Sequence, residues 1–296
     1  MHSSVKRLAA LSVSALAWAS LFAAPASAWT PRPTSACGSA VVTKSDGTTW
    51  KCTFGDDFTG GNLDTSKWGV QTTAGTGSHT GVDCLVNSSK NVSTSFGVLR
   101  LTTRKESAPF TCTSPYGNFR TQYTGAMVST YNKFAQAYGR FEIRAKFPAT
   151  KVAGLQSALW LYPQNPTYGS WPQSGEIDIA EEYSAYADRA VPYIHYAQTN
   201  LTDASVTNSH CLIKDVSAFH SYVAEWTPTN ITIKYDGATC LSHSWTPAAP
   251  LLSPAPFDQP FMVCLTQGLG VNGNAFNSLT TPLPATTQVD YVRVWS

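Results

Sequence analysis

Glu176, Asp178, Glu181 and Glu182 place four of the chain's 18 acidic residues within seven positions, between Gly175 and Tyr183. Glu176 and Asp178 alternate with Ile177 and Ile179, the period-two pattern of a strand with one wet and one buried face, so these two carboxylates point the same way. Glu181 breaks the parity. Its offset of five puts it on the opposite face of a regular strand, and one extra, bulged residue is needed to bring it back beside Glu176. Ala180 is small enough to be that residue. Like charges along one strand face repel, so stability alone does not account for them. The plain alternative is a solvated acidic strand end.

Carboxylates gathered in this way suit cleavage of a glycosidic bond with retention: one attacks the anomeric carbon while a second protonates the leaving oxygen, the pair sitting roughly 5–5.5 Å apart. Residues four apart on a flat strand are separated by about 13 Å at Cα. The strand must therefore curve, as a bulge on a concave sheet allows. An aspartate between the two would share a proton with the nucleophile and hold the partners in different protonation states.

The elements that must position these groups are strands. Short runs with strand chemistry, separated by Gly, Pro, Asn and Ser, fall at 97–105, 125–130, 138–147, 157–162, 175–183, 193–199, 220–227, 230–235, 261–267 and 288–295. No window sustains a helical period, apart from a short turn near Asp215 to Phe219. Without a linker to divide two cores, the pattern predicts a single all-β sandwich of two antiparallel sheets. In the run 138–147, Arg140, Glu142 and Arg144 alternate with Phe141, Ile143 and Ala145, which gives one charged and one apolar face. That face is either an exposed outer surface or the floor of a polar cleft whose ionic groups bond to hydroxyls.

Lys6 and Arg7 precede an apolar run from Leu8 to Ala24, and Ala26-Ser27-Ala28 offers a peptidase site. Residues 1–28 therefore read as a secretory signal peptide and 29–296 as one domain, giving a secreted, extracellular protein. Lys6 and Arg7 are the only charged residues of that leader, so its removal takes the formal charge from +2 to 0. A neutral chain with 13% charged residues has no electrostatic footprint for nucleic acid or an anionic membrane. Nine Trp and 13 Tyr suit sugars better. Of seven cysteines, sequence proximity favours Cys37–Cys52, Cys84–Cys112 and Cys211–Cys240, among 15 connectivities for those six, and leaves Cys264 as a buried inert thiol. The run Gly268-Leu269-Gly270-Val271-Asn272-Gly273 fits a dinucleotide fingerprint, but no helix pattern follows it. Zinc-ligand spacings are absent.

The stretch from Trp171 to Glu181, Trp-Pro-Gln-Ser-Gly-Glu-Ile-Asp-Ile-Ala-Glu, resembles the active-site signature of glycoside hydrolase family 16, in the bulged form of its laminarinase-like branch. The likeness continues in Asp57-Phe58, Leu63 to Trp68, Tyr138 to Lys146, Ile194-His195-Tyr196, Ala224 to Pro228, Phe257 to Phe261 and Val289 to Val294, in the family's order. The resemblance implies a concanavalin A-like β-jelly-roll of two curved antiparallel sheets, with substrate across the concave sheet. It implies Glu176 as nucleophile, Glu181 as general acid and base, and Asp178 as helper, with Glu182 structural or at the rim. Trp171 would stack on a sugar, with Glu142, Arg144 and Arg140 in the cleft. Trp160 and Trp226 would line the cleft or the core beneath it, and His195 would approach the acceptor side. Gln267, in a Thr266-Gln267 pair that replaces a common Asn-Leu, would alter one polar contact. No cofactor is implied for catalysis. A structural Ca2+ would be held by main-chain oxygens of Asp57 and Gly97 and by the Asp290 carboxylate.

The implied activity is endo-hydrolysis of a β-linked polysaccharide by a monomer, with β-1,3-glucan favoured. Mixed-linkage glucan, a β-galactan and transglycosylation are the alternatives within the family, and a lectin-like sandwich is the non-enzymatic one. Leu155 to Trp160 departs from the Trp-Pro-Ala-Phe-Trp that laminarinases often carry, so one sugar platform is expected to be missing.

Overall fold

The computed structural model describes residues 36–39, 41–44 and 46–296. The signal peptide expected at 1–28 lies outside the described residues, as do residues 29–35. Strands β1 (Cys52–Asp56), β2 (Gly69–Val70), β3 (Cys84–Leu85), β4 (Val92–Ser95) and β5 (Val98–Cys112) are followed by β6 (Phe119–Ser129), β7 (Gly139–Lys146) and β8 (Leu155–Pro163). Then come β9 (Glu176–Tyr183), β10 (Val191–His195), β11 (His220–Trp226), β12 (Ile231–Tyr235), β13 (Ala238–His243), β14 (Phe261–Leu269) and β15 (Ala285–Trp295). The only α-helix among the described residues is the single turn α1 (Thr73–Thr76). No helix among them is long and apolar enough to cross a membrane.

Two layers account for the pairing. The front sheet runs β10-β9-β8-β14-β6, with β2 on β6; the back sheet runs β4-β5-β15-β7-β11-β12-β13, with β1 on β15. All of these pairings are antiparallel, and only the short β3 lies parallel to its neighbour β6. β5 starts in the back sheet against β15, then leaves it and pairs with β6 from Arg104 onward. Strand alternation supplies the core between the layers. Leu159, Leu161, Ile177, Val263 and Leu265 of the front sheet meet Phe141, Ile143, Tyr222, Ile233 and Val292 of the back.

Every run read as a strand overlaps one, although β10 ends at His195, short of the expected 199, and β6 begins at Phe119, before the expected 125. The strands missing from that reading are β1 to β4 and β13, which are short or polar and show no clear alternation. The outer half of β5 was also missed, because Glu106 to Thr111 is largely solvated and contains Pro109. The turn expected near Asp215 is present, with the Asp215 carboxylate accepting from the Ser217 amide at 3.0 Å. The three disulfides pair as sequence proximity suggests, and Cys264 is free and buried.

Candidate active site

The bulge is where parity requires it. Against β8, Asp178 lies opposite Trp160 and Ala180 opposite Leu159, so Ile179 is the extra residue. Against β10 the register shifts at the same point, from Tyr193 opposite Asp178 to Val191 opposite Glu181. The expectation that Ala180 alone bulges is thus corrected to the Ile179–Ala180 pair, both fully buried. The Ile179 carbonyl, freed from its ladder, accepts the Tyr235 hydroxyl at 2.8 Å from the facing sheet. Beyond the bulge Glu181 and Tyr183 share the outer face with Glu176 and Asp178, and Glu182 turns into the core.

Glu176, Asp178 and Glu181 line one depression of about 270 Å3, together with Gln156, Ala158, Trp160, Thr266 and the loop Ser78-His79-Thr80. Burial raises all three carboxyls, and repulsion from neighbouring carboxylates adds to it at Glu176 and Asp178. Glu176 is pushed up to about 9, by burial first and then by the charge of Asp178, while the Trp171 indole donates to it and opposes the rise. Asp178, almost fully enclosed, lies well above the usual carboxylate range through burial and the charge of Glu181. It also shares a hydrogen bond with Glu176, which requires a proton between the two. Glu181 is raised by burial, and hydrogen bonds from Tyr183 and Gln156 pull it back; the Gln156 amide donates at 3.0 Å.

His195 is held neutral-leaning by burial. Its Nε2 lies 3.0 Å from Asp178 Oδ2, so the neutral Nε2–H tautomer donates there. The ring stacks on Tyr193 at 3.9 Å and meets Trp171 at 5.4 Å. Ligand atoms of Glu176, Asp178 and His195 lie within 4.8 Å of one another. Trp160 donates its indole N–H to Thr266 Oγ1 at 3.0 Å, which fixes its ring in the floor. A second depression of about 530 Å3 adjoins on the Glu176 side, sharing Ser78, Met127, Trp160 and Glu176 with the first and adding Trp171, Tyr162 and Tyr116.

A buried set of interacting carboxyls in an open, ring-lined groove is equipped to move protons and to attack carbon in a sugar chain. A profile of the family described as Glycosyl hydrolases family 16 matches residues 79–266, more than half of the chain. The chain belongs to this family. Among its relatives, Glucan endo-1,3-beta-glucosidase A1 of Niallia circulans is 34% identical over 81% of this chain and 37% of its own length. The Beta-glucanase of Rhodothermus marinus is 34% identical over 59% of this chain and 63% of its own. This chain thus spans less than two thirds of either. The solved laminarinase of Rhodothermus marinus superposes with a TM-score of 0.68 at 28% identity, over 83% of this chain and 97% of that one.

Within the family 16 frame, several expected site residues lie elsewhere. Arg140, Glu142 and Arg144 occupy the outer face of the back sheet, across the core from the carboxylates. Arg140 bridges Glu142 at 2.7 Å and Glu225 at 2.6 Å, and Glu142 also accepts from Tyr291 at 2.7 Å. The alternation of β7 was right, but period-two patterning does not say which layer a strand joins. Trp226 is 1% exposed; it shares the inward parity of Tyr222 and Ala224 and packs on Phe141 and Phe261. Gln267 is fully buried, because β14 points Phe261, Val263, Leu265 and Gln267 inward. There it accepts from Ser157 at 2.8 Å and Thr287 at 2.6 Å. Thr266, its neighbour, faces the cleft instead.

Asp57, Gly97 and Asp290 fall on adjoining parts of the back sheet: after β1, in the β4–β5 turn, and at a register shift of β15. Arg144 holds Asp290 at 2.6 Å, and Arg293 lies 3.3 Å from Asp57. Sequence reasoning missed Gln156, Tyr162 and Tyr183. All three were within reach, since Gln156 and Tyr162 share the parity of Trp160, and Tyr183 that of Glu181. His79 and Tyr116 are brought in by loops and carry no local signal.

Proposed function

We propose that the protein is a secreted, monomeric, endo-acting β-glucanase that cleaves β-1,3-glucan with retention, through a covalent glycosyl-enzyme. The observation that carries this reading is the bulge of β9, which sets Glu176, Asp178 and Glu181 on one face of a ring-lined groove. The β-1,3 linkage is supported by the 1,3-glucanase and laminarinase names of its relatives, and the secreted state by three disulfides, which persist in oxidising compartments.

In the first step the Glu176 carboxylate attacks the anomeric carbon while Glu181 gives its proton to the departing glycosidic oxygen. In the second, Glu181 takes a proton from water, which attacks the same carbon and releases Glu176. Glu176 must be ionised to attack, although burial and the Asp178 charge raise it to about 9. A proton on Asp178 resolves this, because it replaces a repelling charge with a hydrogen-bond donor at Glu176. His195 then orients Asp178 from its other side. Burial raises Glu181, the direction that favours the proton it must give in the first step as general acid.

This chemistry needs no metal. A calcium ion at Asp57, Gly97 and Asp290 would compete with Arg144 for the Asp290 carboxylate and sit near Arg293, so these residues fit a cation poorly.

Product analysis on laminarin, curdlan, lichenan, agarose and galactan tests the proposal. Laminarin and curdlan are expected to be cut fastest, with kcat lowered at least ~100-fold in Glu176→Gln and in Glu181→Gln. Faster cleavage of agarose or galactan would overturn the substrate. Binding of laminarin without cleavage by the wild type would replace the enzyme reading with a lectin.

A further inference from the structure

We propose that Tyr116, at the tip of the β5–β6 hairpin, is a sugar platform that extends the cleft on the Glu176 side and makes the protein grip a glucan chain several units long. The proposal rests on the glucanase reading above and concerns how much of the chain is held.

The hairpin projects at a cost. Beyond Lys105, β5 has left the back sheet and pairs with β6 alone, and most of its side chains are solvated. It is nevertheless tied down. Cys112, the last residue of β5, is bonded to Cys84 of β3, and inside the tip Ser114 Oγ accepts from the Tyr116 amide at 3.2 Å. The Tyr116 ring is 85% exposed but not adrift, because it rests on Gly77, the residue that ends α1. A Cβ at Gly77 would stand 2.2 Å from that ring and push it aside, and the backbone there has φ +77°, which favours glycine.

What the ring faces points to the ligand. Tyr116 lines the same depression of about 530 Å3 as Trp160, Tyr162, Trp171 and Glu176. On the Glu181 side the groove is walled by His79, Thr80 and Gln156, and among the described residues Tyr183, bonded to Glu181, stands there with fewer rings than on the Glu176 side. Apolar C–H faces of pyranose rings therefore find stacking partners on one side of the cleavage point and mainly hydrogen-bonding groups on the other.

Isothermal titration in the Glu176→Gln background separates this inference from the chemistry, because no turnover is needed. The probes are laminaribiose and laminarihexaose. Adding Tyr116→Ala is expected to weaken the hexasaccharide about 5- to 10-fold, the effect of losing one aromatic contact. The disaccharide should be unaffected, and Tyr116→Phe should bind both as the parent does. Hexasaccharide binding unchanged in Tyr116→Ala would overturn the inference and leave the glucanase reading intact. Equal losses for both sugars with a lowered Tm would overturn it too, by showing that Tyr116 only supports Gly77. A parent that binds neither sugar would overturn the glucanase reading and the inference together.

Discussion

Glu182 lies one position from Glu181, yet nothing in its surroundings accommodates a charge. It is fully buried, neither carboxylate oxygen has a hydrogen-bond partner among the described residues, and burial pushes it up to about 8. An ordinary glutamate in the unfolded chain titrates near 4.5. Between these values the native state keeps a proton that the unfolded state has released, so this residue's effect on stability worsens as pH rises from about 4.5 to about 8. Glu182→Gln should therefore raise Tm at pH 8, by an amount reflecting a few kcal/mol at most, and leave it nearly unchanged at pH 4.5. Equal shifts at both pH values would contradict this. Asp83, buried beneath the Thr80 loop and pushed up to about 7, has the same sign and cancels in the comparison. At this scale the three cleft carboxylates were legible, since their types and spacing have few other uses. Gln267 was not. A glutamine is usually exposed, and only the Ser157 and Thr287 hydroxyls, distant in sequence, show why this one is inside.

The bulge of β9 decides which of two adjacent glutamates faces the groove. In a regular strand Glu182 would share the face of Glu176 and Asp178, and Glu181 would be buried. With Ile179–Ala180 bulged the two exchange places, and the Tyr235 hydroxyl occupies the carbonyl that the bulge releases. Glu181→Gln is thus expected to lose at least ~100-fold in kcat, whereas Glu182→Gln stays within about 3-fold of wild type at pH 6. Similar losses in the two variants would mean that the strand is regular or that both residues act. Parity made this legible from sequence, including the need for an extra residue; its location at Ile179 as well as Ala180 depended on what β8 and β10 offer opposite. The same rule of alternation failed for β7. Arg140, Glu142 and Arg144 do share a face, but that face belongs to the other layer, and layer assignment is a property of the whole topology.

Two sheets enclose one core, the front one carrying the groove and the back one a ladder of ion pairs. Lys234, Glu225, Arg140 and Glu142 form a continuous bonded line across β12, β11 and β7, which leaves that surface electrically balanced. The all-β sandwich and the disulfide pairs followed from pattern and proximity, while the groove walls did not, because α1, the Ser78–Thr80 loop and the Tyr116 hairpin converge only in three dimensions. All of these parts bear on one claim, that Glu176 becomes covalently attached to sugar. Inactivation with a 2-deoxy-2-fluoro-β-laminaribiosyl fluoride, followed by peptide mass spectrometry, tests it most directly: Glu176 should displace fluoride and carry one fluoroglycosyl group. Labelling of Asp178 or Glu181 instead, or turnover with inversion and no label, would contradict the account.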